Sequence, residues 1–266
     1  MRTRLDTVGD VTLAGLNASL YDLADEALIT QSRNQMSNEG VCVLPRFLTE
    51  WAVNAMVAEC DALAAGAHRS APRRNPYLTT ARSSAGTTAA VELYDSLEVL
   101  AYDQFPATSP LRSLYEDDKL LHFVRRCLGL EVLYRYADPF GALNVSIMRA
   151  GDVLDWHFDM TDFVVSIALQ SSVAGGDFEN APQIRDAGDG AIAALLDGDQ
   201  SRVRVEPMMP GTLMLFNGRR SMHRVSPIVG DVPRYVALLA YDTKPGTDST
   251  DELKLSRYGR LPRRTS

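Results

Sequence analysis

The sequence predicts a mainly β protein with N-terminal helices, an α+β chain whose strands form a sandwich or barrel. In the first half of the chain, apolar residues recur at helical spacing. After Leu130, many short apolar runs alternate with glycine and proline, which is typical of strands joined by turns. The length of 266 residues is sufficient for one domain with a substantial core.

Three helices are expected in the first half. An apolar stripe predicts a helix over residues 17–38, with Gly40 as its stop. Val41–Leu44 is expected to be a short strand, and Thr49 is the expected N-cap of the second helix. A third helix is expected over residues 111–128.

The stretch 68–103 is polar and shows no clear period. A segment of this length without its own structure is typical of a functional lid or of disorder, and both alternatives stay open. Its most distinctive part is Arg73–Leu78, for which a solvated loop and a substrate-facing loop are equally consistent with the sequence.

Strands are expected throughout the second half. They cover residues 132–136, 143–148, 163–170, 176–179, 203–205, 212–216 and 234–241. An insertion at 187–199 predicts one short helix that crosses between two sheets. The whole chain, 1–266, is expected to be one domain, with helical support and a possible lid in 1–130, the β core in 131–245 and a tail in 246–266.

The most informative residues form a metal-binding pattern. His157 and Asp159 lie two positions apart beside a predicted strand, so both face one side while Phe158 points away. His223 follows a later strand, and Arg234 begins the last one at the head of an otherwise apolar face. Two imidazoles and a carboxylate are the ligand set that leaves positions of a non-haem ferrous ion open for a cosubstrate and dioxygen.

A single histidine in a globular protein is more often a core or surface residue than a metal ligand. The chain has only four histidines, however, and two of them fall in this pattern together with the aspartate and the arginine. The combination therefore favours a metal site.

The pattern resembles that of the Fe(II)/2-oxoglutarate-dependent oxygenases, over about Tyr134–Tyr241. Four segments are similar to those of the bacterial group that contains free-amino-acid hydroxylases and radical halogenases: Leu154–Asp159, Ala174–Glu179, Pro210–Phe216 and His223–Pro227. The resemblance implies a double-stranded β-helix core, a cupin-like jelly-roll, with the N-terminal helices packed on its outer sheet.

The resemblance also implies the cofactors and the reaction. His157, Asp159 and His223 would hold Fe(II), Arg234 would pair with the distal carboxylate of 2-oxoglutarate, and Asn144 would lie against that cosubstrate. Dioxygen would be the third participant, and the enzyme would be a dioxygenase releasing succinate and carbon dioxide. Halogenases of the group have glycine at the motif carboxylate, so retention of Asp159 favours hydroxylation.

The substrate implied by the resemblance is a free amino acid or a similar small polar amine, within a natural-product pathway. Acidic residues would hold its amine and an arginine its carboxylate, and the candidates by position are Asp138, Asp162 and Arg74. Trp156 is expected to form a wall of the site. For each of these four residues, an ordinary structural or surface role is the alternative.

Composition excludes other partners. The net charge is -7 and no basic stripe precedes the C-terminal arginines, which argues against nucleic acid. No apolar run approaches the about 20 residues of a membrane span, and no secretory signal is visible, so a cytoplasmic protein is expected. Cys42, Cys60 and Cys127 are expected to be buried thiols. A homo-oligomer remains open.

Two other interpretations remain. The same cofactors could support desaturation, epimerisation or halogenation, or act on a carrier-bound, peptide-linked or nucleotide substrate. The chain could also be a cupin-like metal-binding sensor without turnover, which would not need Arg234 to meet a dicarboxylate.

Overall fold

The computed structural model describes residues 13–71, 73–77 and 93–263. The helices are α1 (Glu26–Glu39), α2 (Glu50–Leu63), α3 (Pro110–Glu116), α4 (Asp118–Cys127), α5 (Asp189–Leu196) and α6 (Asp251–Tyr258). The strands are β1 (Val41–Leu44), β2 (His68–Ser70), β3 (Arg73–Arg74), β4 (Leu93–Tyr94), β5 (Leu97–Ala101), β6 (Tyr134–Arg135), β7 (Leu143–Met148), β8 (Leu154–His157), β9 (Val164–Gln170), β10 (Ala174–Gly175), β11 (Phe178–Ala181), β12 (Arg204–Glu206), β13 (Leu213–Phe216), β14 (Met222–Val225), β15 (Ile228–Val229), β16 (Arg234–Leu239) and β17 (Tyr241–Asp242).

Side-chain caps set the helix ends. Thr49 accepts a hydrogen bond from the Ala52 amide and begins α2, and Gly40 ends α1 with a φ of 73°, both as expected. The expected start of α1 at 17 is too early, because the Asp25 carboxylate caps the helix instead. The helix expected over 111–128 is two helices, since Asp117 is extended (ψ 125°) and caps α4.

Two antiparallel sheets form the core, which confirms the jelly-roll prediction. Within the described ranges, seven strands form the major sheet in the order β1-β13-β9-β16-β7-β5-β2, and four form the minor sheet in the order β12-β11-β14-β8. The N-terminal half therefore contributes three strands of the major sheet in addition to its helices. The metal-binding pattern lies on the minor sheet, where His157 is paired with His223.

The major sheet has two different buried faces. On its outer face, alternate side chains such as Val145, Ile167 and Leu239 join the apolar core made with α1–α4. On its inner face, Met148 and Met214 meet apolar side chains of the minor sheet, among them Phe178 and Val225. We call the space between these inner faces the lumen.

A third apolar cluster covers the outer face of the minor sheet. There Ile192 and Leu195 of α5 pack with Met222. The expectation that this helix crosses between the sheets is wrong. It connects β11 to β12, which pair with each other in the minor sheet, so the chain returns to the sheet that it left.

Two segments without an expected element, 68–103 and the tail, contain strands or a helix among their described residues. In 68–103, strands β2 to β5 form, while residues 72 and 78–92 lie outside the described residues, as does the lid-or-disorder question for them. The expected C-terminal tail contains α6, which packs against β2 and β5. All three cysteines are buried and free, as expected. None of the described helices combines the length and apolarity required to cross a membrane.

Candidate metal centre

Three side chains converge at one end of the minor sheet. One ligand atom each from His157, Asp159 and His223 lies within 4.8 Å of the others, and this is the one such group of three among the described residues. The Nε2 atom of His223 lies 3.3 Å from Oδ2 of Asp159, and the two imidazole centroids are 4.3 Å apart. The sequence pattern therefore corresponds to one compact cluster in space.

Backbone contacts fix the segment that carries the first two ligands. His157 ends β8, and the following amides are held by carbonyls: Phe158 N–H donates to Pro76 O at 2.8 Å, and Asp159 N–H donates to Gly218 O at 3.0 Å. A Cβ at position 218 would lie 2.4 Å from Oδ2 of Asp159. Glycine at this position therefore leaves the space that the carboxylate occupies.

Both histidines are oriented through their Nδ1 atoms. Nδ1 of His157 lies 2.7 Å from the Asp155 carbonyl oxygen, and Nδ1 of His223 lies 3.2 Å from the Ser221 carbonyl oxygen. A carbonyl accepts a proton donor, so Nδ1 carries the hydrogen and the Nε2 lone pair is free for a metal.

The electrostatics favour the metal-binding forms of the ligands. Burial lowers the pKa of His157 to about 4, and the neighbouring His223 acts in the same direction, so His157 is neutral at pH 7. For Asp159, burial opposes ionisation, but the nearby His223, His157 and Arg257 together hold its pKa below the usual range. The centre therefore offers two imidazoles, at least one of them neutral, and an ionised carboxylate.

The cluster fits a divalent cation. Oδ2 of Asp159 is buried and has no hydrogen-bond partner among the described residues, which is costly unless a further group completes it. Two nitrogens and one carboxylate oxygen are suited to iron, with positions left for other ligands.

Arg234 lies at the start of β16 with its side chain on the lumen side. It is buried, and no described residue accepts a hydrogen bond from its guanidinium or forms an ion pair with it. Burial lowers its pKa to about 10, which the charge of Asp177 only partly opposes. A Cβ on Gly176 would lie 2.9 Å from its Cδ atom. A buried, unpaired cation of this kind is suited to an anionic ligand.

Further polar groups line the same lumen. Asn144 and Ser146 alternate with core residues on β7, and Ser166 does so on β9, so all three face inward. The hydroxyl oxygens of Ser146 and Ser166 are buried and lack hydrogen-bond partners in the part of the chain that is described. Neither serine is among the sequence-predicted site residues, although the alternation along their strands indicates that they face inward.

Arg257 was also missed. It lies on α6, half-buried, and its Nη2 donates to Oδ1 of Asn144 at 3.3 Å. Its charge is among the influences on the pKa values of His157 and Asp159. The helix is remote in sequence from the motif, and only its packing against β2 and β5 brings this residue to the lumen.

The four predicted substrate residues lie in different surroundings. Trp156 is not brought to the site: it packs in the outer cluster of the minor sheet, under Arg224 at 4.9 Å, because adjacent residues of a strand face opposite sides. Asp162 is exposed and forms an ion pair with Arg219 at 2.5 Å. Asp138 is buried, and its Oδ2 has no partner among the described residues. The backbone of Arg74 pairs with Leu93, and its side chain lies outside the described part.

A family comparison covers most of the chain. The profile of the family described as HalD, Halogenase D, matches residues 24–255. No curated protein matches the sequence.

Solved structures share the fold at low sequence identity. The non-heme α-ketoglutarate-dependent epimerase SnoN from nogalamycin biosynthesis matches with a TM-score of 0.58 and 16% identity, over 82% of this chain and 83% of that one. Its complex with Fe3+, α-ketoglutarate and nogalamycin RO gives 0.55 and 17%, over 82% and 84%. A prolyl hydroxylase from Trichoplax adhaerens gives 0.55 and 16%, over 82% and 90%. An oxidoreductase of the 2OG-Fe(II) oxygenase family from Burkholderia pseudomallei gives 0.50 and 17%, over 84% and 94%.

Proposed function

This chain belongs to the Halogenase D family, and from that premise we propose that it is an Fe(II)- and 2-oxoglutarate-dependent dioxygenase. Its reaction is hydroxylation of an unactivated carbon of a free amino acid or a similar small polar amine, with release of succinate and carbon dioxide. The observation that carries the proposal is the cluster of His157, Asp159 and His223 at the lumen that also holds the unpaired Arg234.

The residues divide the work between metal and cosubstrate. His157, Asp159 and His223 would hold a ferrous ion, which would supply oxygen activation coupled to oxidative decarboxylation of 2-oxoglutarate. Arg234 binds the distal carboxylate of that cosubstrate in a charge-assisted contact, ideally bidentate. The two unpartnered hydroxyls, of Ser146 and Ser166, supply donors for its oxygens. Asn144 orients the cosubstrate through its amide nitrogen, since its oxygen accepts from Arg257.

Asp138 supports an amine-bearing substrate. Its carboxylate is buried with one oxygen unpartnered among the described residues, and Gly141 leaves the room for it, because a Cβ there would lie 2.6 Å from that oxygen. An ammonium group of the substrate would complete it. Asp162 carries no such role, since it is exposed and already paired with Arg219.

The family description names halogenation, yet the metal ligands favour hydroxylation. Asp159 occupies the coordination position that a halide would require, and the free space beside Gly218 is filled by that carboxylate. Desaturation and epimerisation use the same ligands and stay as alternatives within the proposal. Product mass separates them: hydroxylation adds one oxygen, desaturation removes two hydrogens, epimerisation leaves the mass unchanged and halogenation adds the halogen.

Metal and cosubstrate binding test the proposal directly. Addition of Fe(II) and 2-oxoglutarate without oxygen is expected to give the weak metal-to-ligand charge-transfer absorption, and oxygen is then expected to yield succinate. His157→Ala should weaken metal binding by roughly 100-fold or more. The loss is expected to exceed that from removing a group that only hydrogen-bonds to a ligand. His122→Ala is the matched control, because His122 is an exposed residue of α4.

Two outcomes would contradict the proposal. Full succinate formation by His157→Ala would show that the cluster is not the reaction centre. Absence of the absorption at saturating Fe(II) and 2-oxoglutarate would favour a sensor without turnover. If both tests succeed, a screen of the proteinogenic amino acids for succinate release identifies the substrate class; no response would favour a carrier-bound, peptide-linked or nucleotide substrate.

A further inference from the structure

The basic residues on α6 and just beyond it are not equivalent. Lys254 is paired with Asp248 at 2.7 Å, and Arg260 makes two bonds of 2.7 Å to Asp103. Arg257 lies between them in sequence and has no carboxylate within ion-pair distance among the described residues. It is the member of the series whose charge is not neutralised by the protein.

Arg257 points to the lumen. It donates to the amide oxygen of Asn144, a neutral group on the inner face of β7, and the next residue, Tyr258, packs against Phe140 with ring centroids 5.6 Å apart. Both aromatic rings belong to the apolar cluster of the lumen. The Arg257 guanidinium therefore lies at the wall of the lumen, and its partner Asn144 is neutral, so its charge is not neutralised.

In the proposed holoenzyme, the charges of the metal, the cosubstrate, Asp159 and Arg234 cancel, so Arg257 and Asp138 are left as two separate charges of opposite sign. A ferrous ion and Arg234 are offset by Asp159 and a doubly charged 2-oxoglutarate. Arg257 then adds one positive charge at a site of restricted solvent access. Such a charge favours an anion on the remaining reactant, and a guanidinium is well suited to a carboxylate.

The carboxylate of Asp138 lies near the same wall of the lumen. Burial raises the pKa of Tyr258 to about 12, while Arg257 acts to lower it and Asp138 acts to raise it. The tyrosine hydroxyl is thus within electrostatic reach of both groups. Arg257 and Asp138 therefore lie on the same wall near the Tyr258 hydroxyl. Their opposite charges are complementary to a substrate that carries both a carboxylate and an ammonium group.

We infer that Arg257 binds a carboxylate of the primary substrate, and that α6 is the element which selects amino acids over their uncharged derivatives. The inference rests on the proposed function and specifies its substrate as an acid. The rival source of the same chemistry is the metal-proximal carboxylate of 2-oxoglutarate, and the experiment distinguishes the two.

The test measures binding without turnover. Wild type and Arg257→Gln are loaded with Fe(II) and 2-oxoglutarate without oxygen, and proteinogenic L-amino acids and their α-amides are titrated against the charge-transfer band. At least one acid should perturb the band of the wild type and bind roughly 30-fold more tightly than its amide, as expected for one charge-assisted contact. Arg257→Gln should weaken the acid by a similar factor and leave the affinity for the amide unchanged. The affinity for 2-oxoglutarate should fall at most a few-fold, through the lost hydrogen bond to Asn144.

Two variants serve as comparisons. Arg257→Lys keeps the charge without the fork geometry and should recover part of the acid affinity. Arg260→Gln removes an arginine just beyond the same helix that is already paired with Asp103, and should bind the acid as the wild type does. Thermal melting of each variant establishes that it is folded.

Each other result overturns the inference. Equal binding of acid and amide by the wild type, or no binding of any acid, would show that no carboxylate is recognised. A loss of 2-oxoglutarate affinity in Arg257→Gln as large as the roughly 30-fold loss expected for the acid would assign the contact to the cosubstrate and leave the oxygenase proposal standing. Failure of the wild type to form the charge-transfer band would instead refute the proposed function.

Discussion

The two faces of β16 are both buried, yet they differ in chemistry. On the outer face, Tyr235, Ala237 and Leu239 pack in the apolar core under the N-terminal helices, and the Tyr235 hydroxyl reaches Asp61 at 2.7 Å. On the inner face, Arg234 has no hydrogen-bond acceptor among the described residues, and the nearby Ser146 hydroxyl also lacks a partner.

This difference separates stability from function. The outer face buries apolar surface and satisfies its polar group, which is what a folded core requires. The inner face keeps buried polar groups unsatisfied, at a cost in folding free energy that only a bound ligand would offset. At β16, burial therefore does not distinguish the two faces, whereas the guanidinium of Arg234, unpaired among the described residues, does.

The largest expected effect is on the outer face. Leu239→Ala removes a buried side chain from the core and should lower the free energy of unfolding by about 3 to 4 kcal/mol. Urea unfolding measures the loss. The 2-oxoglutarate affinity of the folded fraction should stay within about twofold of wild type. A large loss of that affinity would mean that the two faces are not independent.

The pH dependence of the metal-free protein should come from the inner face. The pKa of His157 is lowered from 6.5 to about 4, so between these values the unfolded chain binds a proton that the folded chain does not. Stability is therefore lost as pH falls through this window, by about 3 kcal/mol. His157→Gln should show a shallower decline in chemical unfolding across the same range, and an equal slope would contradict the assignment.

Arg234→Met tests whether the inner face trades stability for binding. The 2-oxoglutarate affinity should fall roughly 30-fold, because a charge-assisted contact is lost. The free energy of unfolding should not fall, since the variant removes a buried cation without a partner. Arg112→Met removes a half-buried arginine that is paired with Glu116 and lies outside the lumen, and is the control for 2-oxoglutarate binding. A strongly destabilised Arg234→Met protein would refute the claim that Arg234 lowers folding stability while it increases 2-oxoglutarate affinity.

Ser146→Ala should have the smallest effect. Its hydroxyl has no partner among the described residues, so removal should change the free energy of unfolding by less than about 1 kcal/mol, in the stabilising direction. The 2-oxoglutarate affinity should fall only a few-fold, as measured by the charge-transfer titration. Unchanged affinity would remove this serine from the proposed cosubstrate contacts.

Local pattern predicts most strands of the second half and the metal cluster, but not β8 and β14, the strands that carry His157 and His223. Leu143–Met148 is predicted as a strand and is one. The period of a strand also predicts that His157 and Asp159 share one side, although β8 ends at His157 and Asp159 follows it. The same period places Trp156 on the opposite side with Phe158. The expectation that Trp156 forms a wall of the site therefore conflicts with the same strand period.

Tertiary packing decided what the sequence could not. Arg257 lies on a short polar helix whose pattern is typical of a solvated surface, and its role follows only from the packing of that helix against β2 and β5. The start of α1 likewise depended on Asp25, whose capping bond competes with continuation of the apolar stripe. The division of the chain into support, core and tail stays a prediction.

The hydrogen bond from the Phe158 amide to the Pro76 carbonyl ties a separate stretch of chain to the backbone between two proposed iron ligands. We expect this bond to stabilise the geometry of His157 and Asp159; thermodynamic linkage is reciprocal, so metal binding would then stabilise the attachment by the same free energy. Amide hydrogen exchange at Phe158 should consequently slow when the protein binds its metal. Conversely, a partner that binds and immobilises Asn75–Tyr77 should increase the metal affinity.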